Sequence, residues 1–343
     1  MDLKEYSQNI SNFIAGSYIT SSLTIGRDLG LFDELKKLDK PVSSQQLADA
    51  CNLKERYVQE WLGCMVATRI VSIDTSDKYF IPTSLKPGLQ GIEFAFLFPV
   101  IGTLTAKAKK CFRKDGPRGY PLGDEPDEVF DVTDDRMSDT DTVVTQLLEP
   151  AKKLTKSMVT ILDLGSGAGC LTRALRRHFP DAEIYGVDYS EVATTKAIAA
   201  AKAEGIKNVK FLKEDATSLP ADWKGKFDWV ILYDLLHDLA DHVSVMKEVN
   251  RVLKDGGDAS ITDPEVHSNH RDNVGDSYVA GVGYALSSVS CLPRSMAIEG
   301  GAGYGVGWGT ENKEKFLTSS GWQVKDKRHI GSPLACNFTC IKA

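Results

Sequence analysis

Two histidines and three aspartates crowd the ten residues YDLLHDLADH at 233–242: His237 and His242 among Asp234, Asp238 and Asp241. Such a set admits three readings: a metal site, a proton acceptor with an orienting partner, or a solvated charged loop. A metal site needs both imidazoles and a carboxylate to converge. Positions i and i+5 of a helix align poorly and an HExxH spacing is absent, so no metal is expected. A proton acceptor fits better, because histidine titrates near neutral pH. The run FDWVILYD before it reads as a strand ending at Tyr233 and Asp234. His237 is the candidate base, with Asp238 as its polar neighbour. The bland alternative is an imidazole that only caps or packs at a pocket wall. His242 reads as a surface residue of the helix that follows.

An earlier strand ends in ILDLGSGAGCLTRAL, where Gly165, Gly167 and Gly169 permit a tight turn and close backbone approach of a ligand before a helix begins. A glycine-rich turn alone also fits nicotinamide or flavin dinucleotides. Two details separate the cases. The spacing is GxGxG, with Cys170 in the last glycine position of the dinucleotide pattern, and Asp163 stands two residues before the first glycine. A carboxylate there repels a pyrophosphate but pairs with an ammonium group. The next strand ends in Asp188, suited to both ribose hydroxyls, and the third in Glu214–Asp215–Ala216, where a carboxylate can take the exocyclic amine of adenine. Ammonium, ribose and adenine in that order, without phosphate, are the parts of S-adenosylmethionine.

DLGSGAGCLT, GVDYS and EDAT resemble the nucleotide-binding motifs of class I S-adenosylmethionine-dependent methyltransferases, over a stretch from about 158 to the C-terminus. The resemblance implies that Asp163, Gly165, Gly167 and Gly169 surround the methionine moiety. It implies Asp188 on the ribose, Tyr189 against the adenine, and Asp215 and Ala216 at the adenine edge. Tyr233 would then lie near the methyl group. LLHDLADH in turn resembles the histidine–aspartate motif of the winged-helix O-methyltransferases, such as the plant caffeic acid and animal acetylserotonin enzymes, with Leu239 in place of the usual tryptophan. That implies a His237 that removes the proton of an acceptor hydroxyl, with Asp238 beside it, in enzymes that are commonly dimers. As a whole the chain is similar to the Rv2258c-like bacterial proteins.

These motifs need a scaffold. From 158 the short apolar runs MVTILDLG, AEIYGVD, VKFLKED, FDWVILYD and DASITDP alternate with amphipathic helices. That predicts an α/β fold with a Rossmann-like, doubly wound and largely parallel sheet, whose ligands sit at the carboxyl ends of the strands. The first eighty or so residues predict a winged helix. ISNFIAGSYITSSLTIGRDLGLFDEL has helical apolar spacing, and Ser43 with Gln46 forms a capping box. Val58, Trp61, Leu62 and Met65 make a stripe on the next helix, and RIVSIDTSDKYFIP supplies two short strands. The expected domains are 1–140, a mainly helical winged-helix domain for dimerisation and pocket covering, and 141–343, which binds the cofactor. Between them, Asp124, Glu125, Asp127 and Glu128 read as a solvated loop, and a helix runs from about Asp141 to Leu154.

Candidate substrate contacts follow the fifth strand. ITDPEVHSN brings Asp263, Glu265 and His267 near its end. SYVAGVGYALSSVSCLPRSMA predicts an inserted helix that roofs the pocket and offers Tyr284, Ser287 and Cys291. EGGAGYGVGWG adds Tyr304 and Trp308 in a glycine-rich stretch, 299–309, read as a lid with a flexible linker as the alternative.

A net charge of -6 and a pI near 5.6 argue against partners with phosphate backbones or anionic lipid, so the winged helix is not expected to bind DNA. Seven scattered cysteines without CxxC spacing predict reduced thiols in a cytoplasmic protein, with Cys336 and Cys340 packing on one face of a strand rather than bridging. The N-terminus has no apolar signal-like core, and no run reaches membrane-spanning length. The expected function is methyl transfer from S-adenosylmethionine to a small-molecule hydroxyl, by a homodimer. Alternatives are N-methylation of an amine or imidazole nitrogen, a cofactor-sensing winged-helix transcription regulator, and a non-catalytic partner subunit.

Overall fold

A computed structural model describes residues 1–121, 140–149 and 159–343, arranged in two compact units, Met1–Gly102 and Thr103–Ala343. The acidic cluster Asp124–Glu128 and the far end of the helix expected at 141–154 lie outside the described residues. The division falls earlier than the expected boundary at 140. One reason is Tyr120, whose backbone N–H and hydroxyl donate to the carbonyls of Pro293 and Val289 within the second unit.

In the first unit the helices Leu3–Asp28, Leu31–Leu38, Ser44–Ala50 and Glu55–Ala67 lead to a two-stranded antiparallel wing of β1 (Ser72–Ile73) and β2 (Tyr79–Phe80). Ser43 caps its helix reciprocally: its hydroxyl accepts from Gln46 N, and Gln46 Oε1 accepts from Ser43 N. Val58, Trp61, Leu62 and Met65 are buried against Leu31, Phe32, Leu35 and Leu47, as their spacing predicts. Trp61 also donates its indole N–H to Ser22 O at 2.8 Å, and its ring leaves no room for a Cβ at Gly26.

The second unit is built on β3 (Thr160–Leu164), β4 (Glu183–Asp188), β5 (Val209–Lys213), β6 (Phe227–Tyr233), β7 (Leu253–Pro264), β8 (Trp322–Ile330) and β9 (Ser332–Lys342). They form one sheet in the order β5-β4-β3-β6-β7-β9-β8. β9 alone runs against the others, lying antiparallel to β7 and to β8. Alternation along each strand feeds two cores. Ile161, Ile184 and Ile231 meet the helices Thr140–Leu148 and Cys170–His178 on one face. Leu162, Val187 and Val230 meet His242–Val252 and Leu317 of the helix Thr310–Ser319 on the other. The chain winds outward from β3 to β5 and crosses back to β6, so the switch in strand order lies between the carboxyl ends of β3 and β6. Both the glycine turn and the histidine turn leave the sheet there.

The helix expected at 277–297 is present in broken form: a π-helical turn Ser277–Gly281, a helix Val282–Val289, and a short helix Cys291–Ser295. Ser290, at φ -136° and ψ -76°, interrupts it and turns Cys291 and Arg294 toward the sheet's working edge.

Candidate active site

The glycine turn is built as its composition requires. Gly165, Gly167 and Gly169 have φ of +78°, +54° and +82°, where a Cβ is strained. A Cβ at Gly165 would sit 2.7 Å from the Leu235 side chain, so this turn is packed directly against the chain leaving β6. Asp188 closes it from β4: its Oδ2 accepts from Gly167 N at 2.9 Å and its Oδ1 from Ser190 N at 2.8 Å. The backbone N–H of Tyr189 acts on the same carboxylate, so three donors hold it in place at the strand end. Burial raises the Asp188 pKa, opposed by these N–H groups.

Asp163 differs from expectation. It is buried under the turn and accepts from the Thr172 hydroxyl, and burial pushes its pKa up to about 7. In this conformation it braces the following helix, so pairing with an ammonium group needs a water or a shift of the turn. Asp215 likewise spends Oδ1 on Thr217, at 2.8 Å to its N and 2.7 Å to its hydroxyl, while Ala216 packs on the core. Tyr189 is 71% exposed beside Asp188. Tyr233 turns away from the turn, onto the face that holds Val143 and Ile330.

His237 sits on a 3-10 turn, Leu236–Asp238, immediately after β6. Its ring is only 2% exposed and lies between two carboxylates. Nδ1 is 3.0 Å from Asp263 Oδ1, and Nε2 is 3.0 Å from Asp238 Oδ1. Each carboxylate carries its own cation: Arg294 Nη1 donates to Asp238 Oδ2 at 2.8 Å, and Lys313 Nζ lies 3.2 Å from Asp263 Oδ2. Lys313 is itself 1% exposed and donates to Pro264 O as well. The result is a row of alternating charge, Arg294–Asp238–His237–Asp263–Lys313. Burial opposes a charged imidazole, yet Asp238 and Asp263 outweigh it and raise the His237 pKa well above its ordinary value. Burial also opposes charge on Asp238 and Asp263. His237 and Arg294 overcome it for the first, and Lys313 and His237 for the second, so both pKa values fall.

Cys291 completes the cluster. Its thiol, His237 and Asp238 offer ligand-type atoms that all lie within 4.8 Å of one another. Burial raises the thiol to about 11, with Asp238 adding to the effect. Of the other expected substrate contacts, Tyr284 lies beside His270 and Gly307. Ser287 and Trp308 are buried supports rather than pocket walls. Ser287 Oγ accepts from Val306 N, and Trp308 stacks on Tyr304 at 4.4 Å and packs into the core. His242 is a correction: it is buried, not on the surface, with Tyr304, Trp308 and Phe316 edge-on around it and a pKa lowered by burial. The stretch 299–309 is docked, with Ala302 N bonded to Ala240 O and Gly303 N to Ser295 Oγ.

Asp263 was visible in the sequence only as one of three polar residues near a strand end. Nothing in the spacing pointed to Lys313 or Arg294, because ordinary helix positions carry both.

A mostly parallel sheet of this strand order, with a glycine turn after its first strand and an acid at the end of its second, defines the class I methyltransferase fold, here in a chain with a separate winged-helix unit. Family models name the parts. Residues 155–290 match a methyltransferase domain and residues 17–86 an Rv2258c-like winged HTH domain, and the chain carries both. Over 100 residues it is 40% identical to a demethylmenaquinone methyltransferase of Lactococcus lactis, a stretch covering 29% of this chain and 39% of that protein. The chain thus spans less than half the length of the curated relative it matches. Among solved structures, a putative O-methyltransferase of Nostoc punctiforme aligns with a TM-score of 0.69 at 17% identity, covering 100% of this chain and 99% of that one. Human N-acetylserotonin methyltransferase in complex with SAM aligns with a TM-score of 0.68 at 14% identity, over 100% and 99%. At these identities the likeness is one of fold.

Proposed function

We propose that this protein transfers a methyl group from S-adenosylmethionine to a hydroxyl of a small molecule, with His237 as the proton acceptor. The observation that carries the reading is the contact between two turns. Leu235 packs on Gly165, so the imidazole two residues later stands beside the loop fit to hold the cofactor. The glycine turn, which brings backbone close without side chains, the Asp188 carboxylate and the exposed Tyr189 supply a cradle, a ribose acceptor and a stacking ring. When bound, the sulfonium of S-adenosylmethionine supplies the electrophilic methyl carbon.

The chain's residues do the rest. Asp263, held charged by Lys313, accepts from Nδ1 and so directs Nε2 toward the acceptor. Nε2 faces Asp238 in the resting arrangement, and an acceptor hydroxyl takes that place when Asp238 swings toward Arg294. A pKa raised by two carboxylates then falls as one departs, and the ring becomes a base where the hydroxyl needs one. Positioning of the acceptor in line with the methyl carbon supplies the remaining rate. Under the same reading 299–309 is a lid in its closed position.

The partner is a second copy of the chain. Leu3, Tyr6, Ile10 and Phe13 follow heptad-like spacing on the first helix and are all exposed, a face suited to pairing. The cytoplasm suits seven free thiols, and no helix among the described residues is long and apolar enough to cross a membrane. On the helix Glu55–Ala67, Arg56 is engaged by Glu60 at 2.5 Å, which speaks against a DNA-reading role.

Calorimetry with S-adenosylmethionine and its demethylated product tests the foundation. Wild type binds both, and Asp188→Ala, which removes a charged acceptor of two hydroxyl bonds, weakens binding by about 100-fold or more. Wild type that binds neither at sub-millimolar concentration ends the proposal. Incubation with labelled cofactor and a metabolite extract, followed by mass spectrometry, then identifies the acceptor and separates O- from N-methylation.

A further inference from the structure

The cluster at Cys291 is more than a base with neighbours. His237, Asp238 and Cys291 come from two separate segments, and each brings one ligand-type atom to within 4.8 Å of the others, with Nε2 and Oδ1 3.0 Å apart. Asp238 Oδ1 is buried and makes no directed hydrogen bond in spite of its 3.0 Å approach to the imidazole. The imidazole is its one close partner, and a buried carboxylate oxygen grouped with a nitrogen and a sulfur is a donor set that a cation can share. The surroundings match what a metal site requires beyond its ligands. Asp263 already holds Nδ1, the carboxylate–histidine arrangement that orients a ligating imidazole. Arg294 already holds the other oxygen of Asp238.

We infer that His237, Asp238 and Cys291 form a binding site for a borderline-soft divalent cation of the zinc class, with a fourth coordination position left open. A nitrogen, an oxygen and a thiolate suit that class better than magnesium or calcium, which prefer oxygen throughout. The exchange balances in charge. The ion forms bonds to nitrogen, oxygen and sulfur; the Nε2–H and S–H bonds break; and two protons leave to solvent. Two positive charges replace two, so Arg294 and Lys313 keep their partners. Metal and base chemistry exclude each other at Nε2, and the metal-bound form is therefore inactive if His237 must take a proton. The site stands independently of the methyl-transfer reading, because its occupancy is measured without cofactor or acceptor.

The test uses the full chain, stripped of metal by chelator. Zinc is titrated against a competing chromophoric chelator, and cobalt(II) is added separately as a spectroscopic probe. One ion per chain is expected, with a sulfur-to-cobalt charge-transfer band and tetrahedral ligand-field absorption. Cys291→Ser and Cys291→Ala abolish that band and weaken zinc by at least about 100-fold, while Asp263→Asn, which removes the charge of the orienting partner and of the Lys313 pair, weakens it by about 10- to 100-fold in the folded variant. Cys170→Ser, outside the cluster, changes neither. Absence of the charge-transfer band in wild type overturns the proposal even if a variant fails to fold. Zinc binding that survives Cys291→Ser unchanged also overturns it, since the ion then sits elsewhere.

Discussion

His237 and Asp263, 26 residues apart in sequence and leaving the ends of adjacent parallel strands, meet at 3.0 Å in a buried contact. That contact leaves Nε2 as the imidazole nitrogen turned toward Asp238, and the first prediction follows from it. His237→Ala removes the proposed proton acceptor while leaving the glycine turn intact. Methylation of a hydroxyl falls by about 100- to 10,000-fold, and calorimetric binding of the demethylated cofactor stays within a factor of a few. Single-turnover assays with labelled cofactor read the first quantity; loss of cofactor binding in the same variant would instead mark His237 as structural.

Asp238 raises the His237 pKa, so its charge sets the acidic limb of activity. Under the proposed function the neutral imidazole is the active form, and a raised pKa confines it to higher pH. Asp238→Asn lowers the His237 pKa, and the rise in kcat/KM with pH moves toward acid, provided the variant folds. A profile unmoved by the substitution means that some other group limits the rate.

Lys313 and Asp263 form a nearly solvent-free ion pair. Lys313→Met leaves a buried carboxylate short of its cation, and stability measured by denaturant unfolding at neutral pH drops by about 3–5 kcal/mol. Asp263 has a depressed folded pKa, so its contribution is present above the ordinary carboxylate range near 3.9 and is lost as pH falls through the folded value. The gap between variant and wild type therefore narrows in acid. A gap independent of pH would point to lost packing alone.

Gly165→Ala adds a methyl group that meets Leu235 at 2.7 Å in a backbone conformation of φ +78°. The strain costs about 1–3 kcal/mol, seen as a lower melting temperature, and cofactor affinity falls at least tenfold. Trimming Leu235 to alanine in the same chain restores space but not backbone comfort, so the double variant recovers only part of the loss.

Much of the fold could be read before any coordinates. Alternating apolar runs announced a doubly wound sheet, and Ser43, Gln46 and the Val58–Met65 stripe announced the winged helix, because capping and amphipathic spacing act within one or two turns of chain. Reading failed where the decisive neighbour was distant. His242 has the surroundings of a surface residue in sequence, yet Tyr304, Trp308 and Phe316 come over it from sixty and more residues away. Trp308 and Ser287 are promising pocket residues by type, and the burial of both, Trp308 within the glycine-rich stretch and Ser287 against it, depends on how that stretch folds back.

By itself, then, the sequence determined the kinds of element, the glycine turn with its acid at the next strand end, and a histidine beside the switch point. Local propensity and spacing suffice for those, since the forces concerned act over a few residues. Only the tertiary structure decided that this histidine stands between two carboxylates, each backed by a cation, with a thiol against it. Asp263, Lys313 and the pair Cys291 and Arg294 come from three separate elements. Burying so many charges is tolerable only when all of them arrive together, so their role is settled by the packing of the whole domain and by no shorter piece of it.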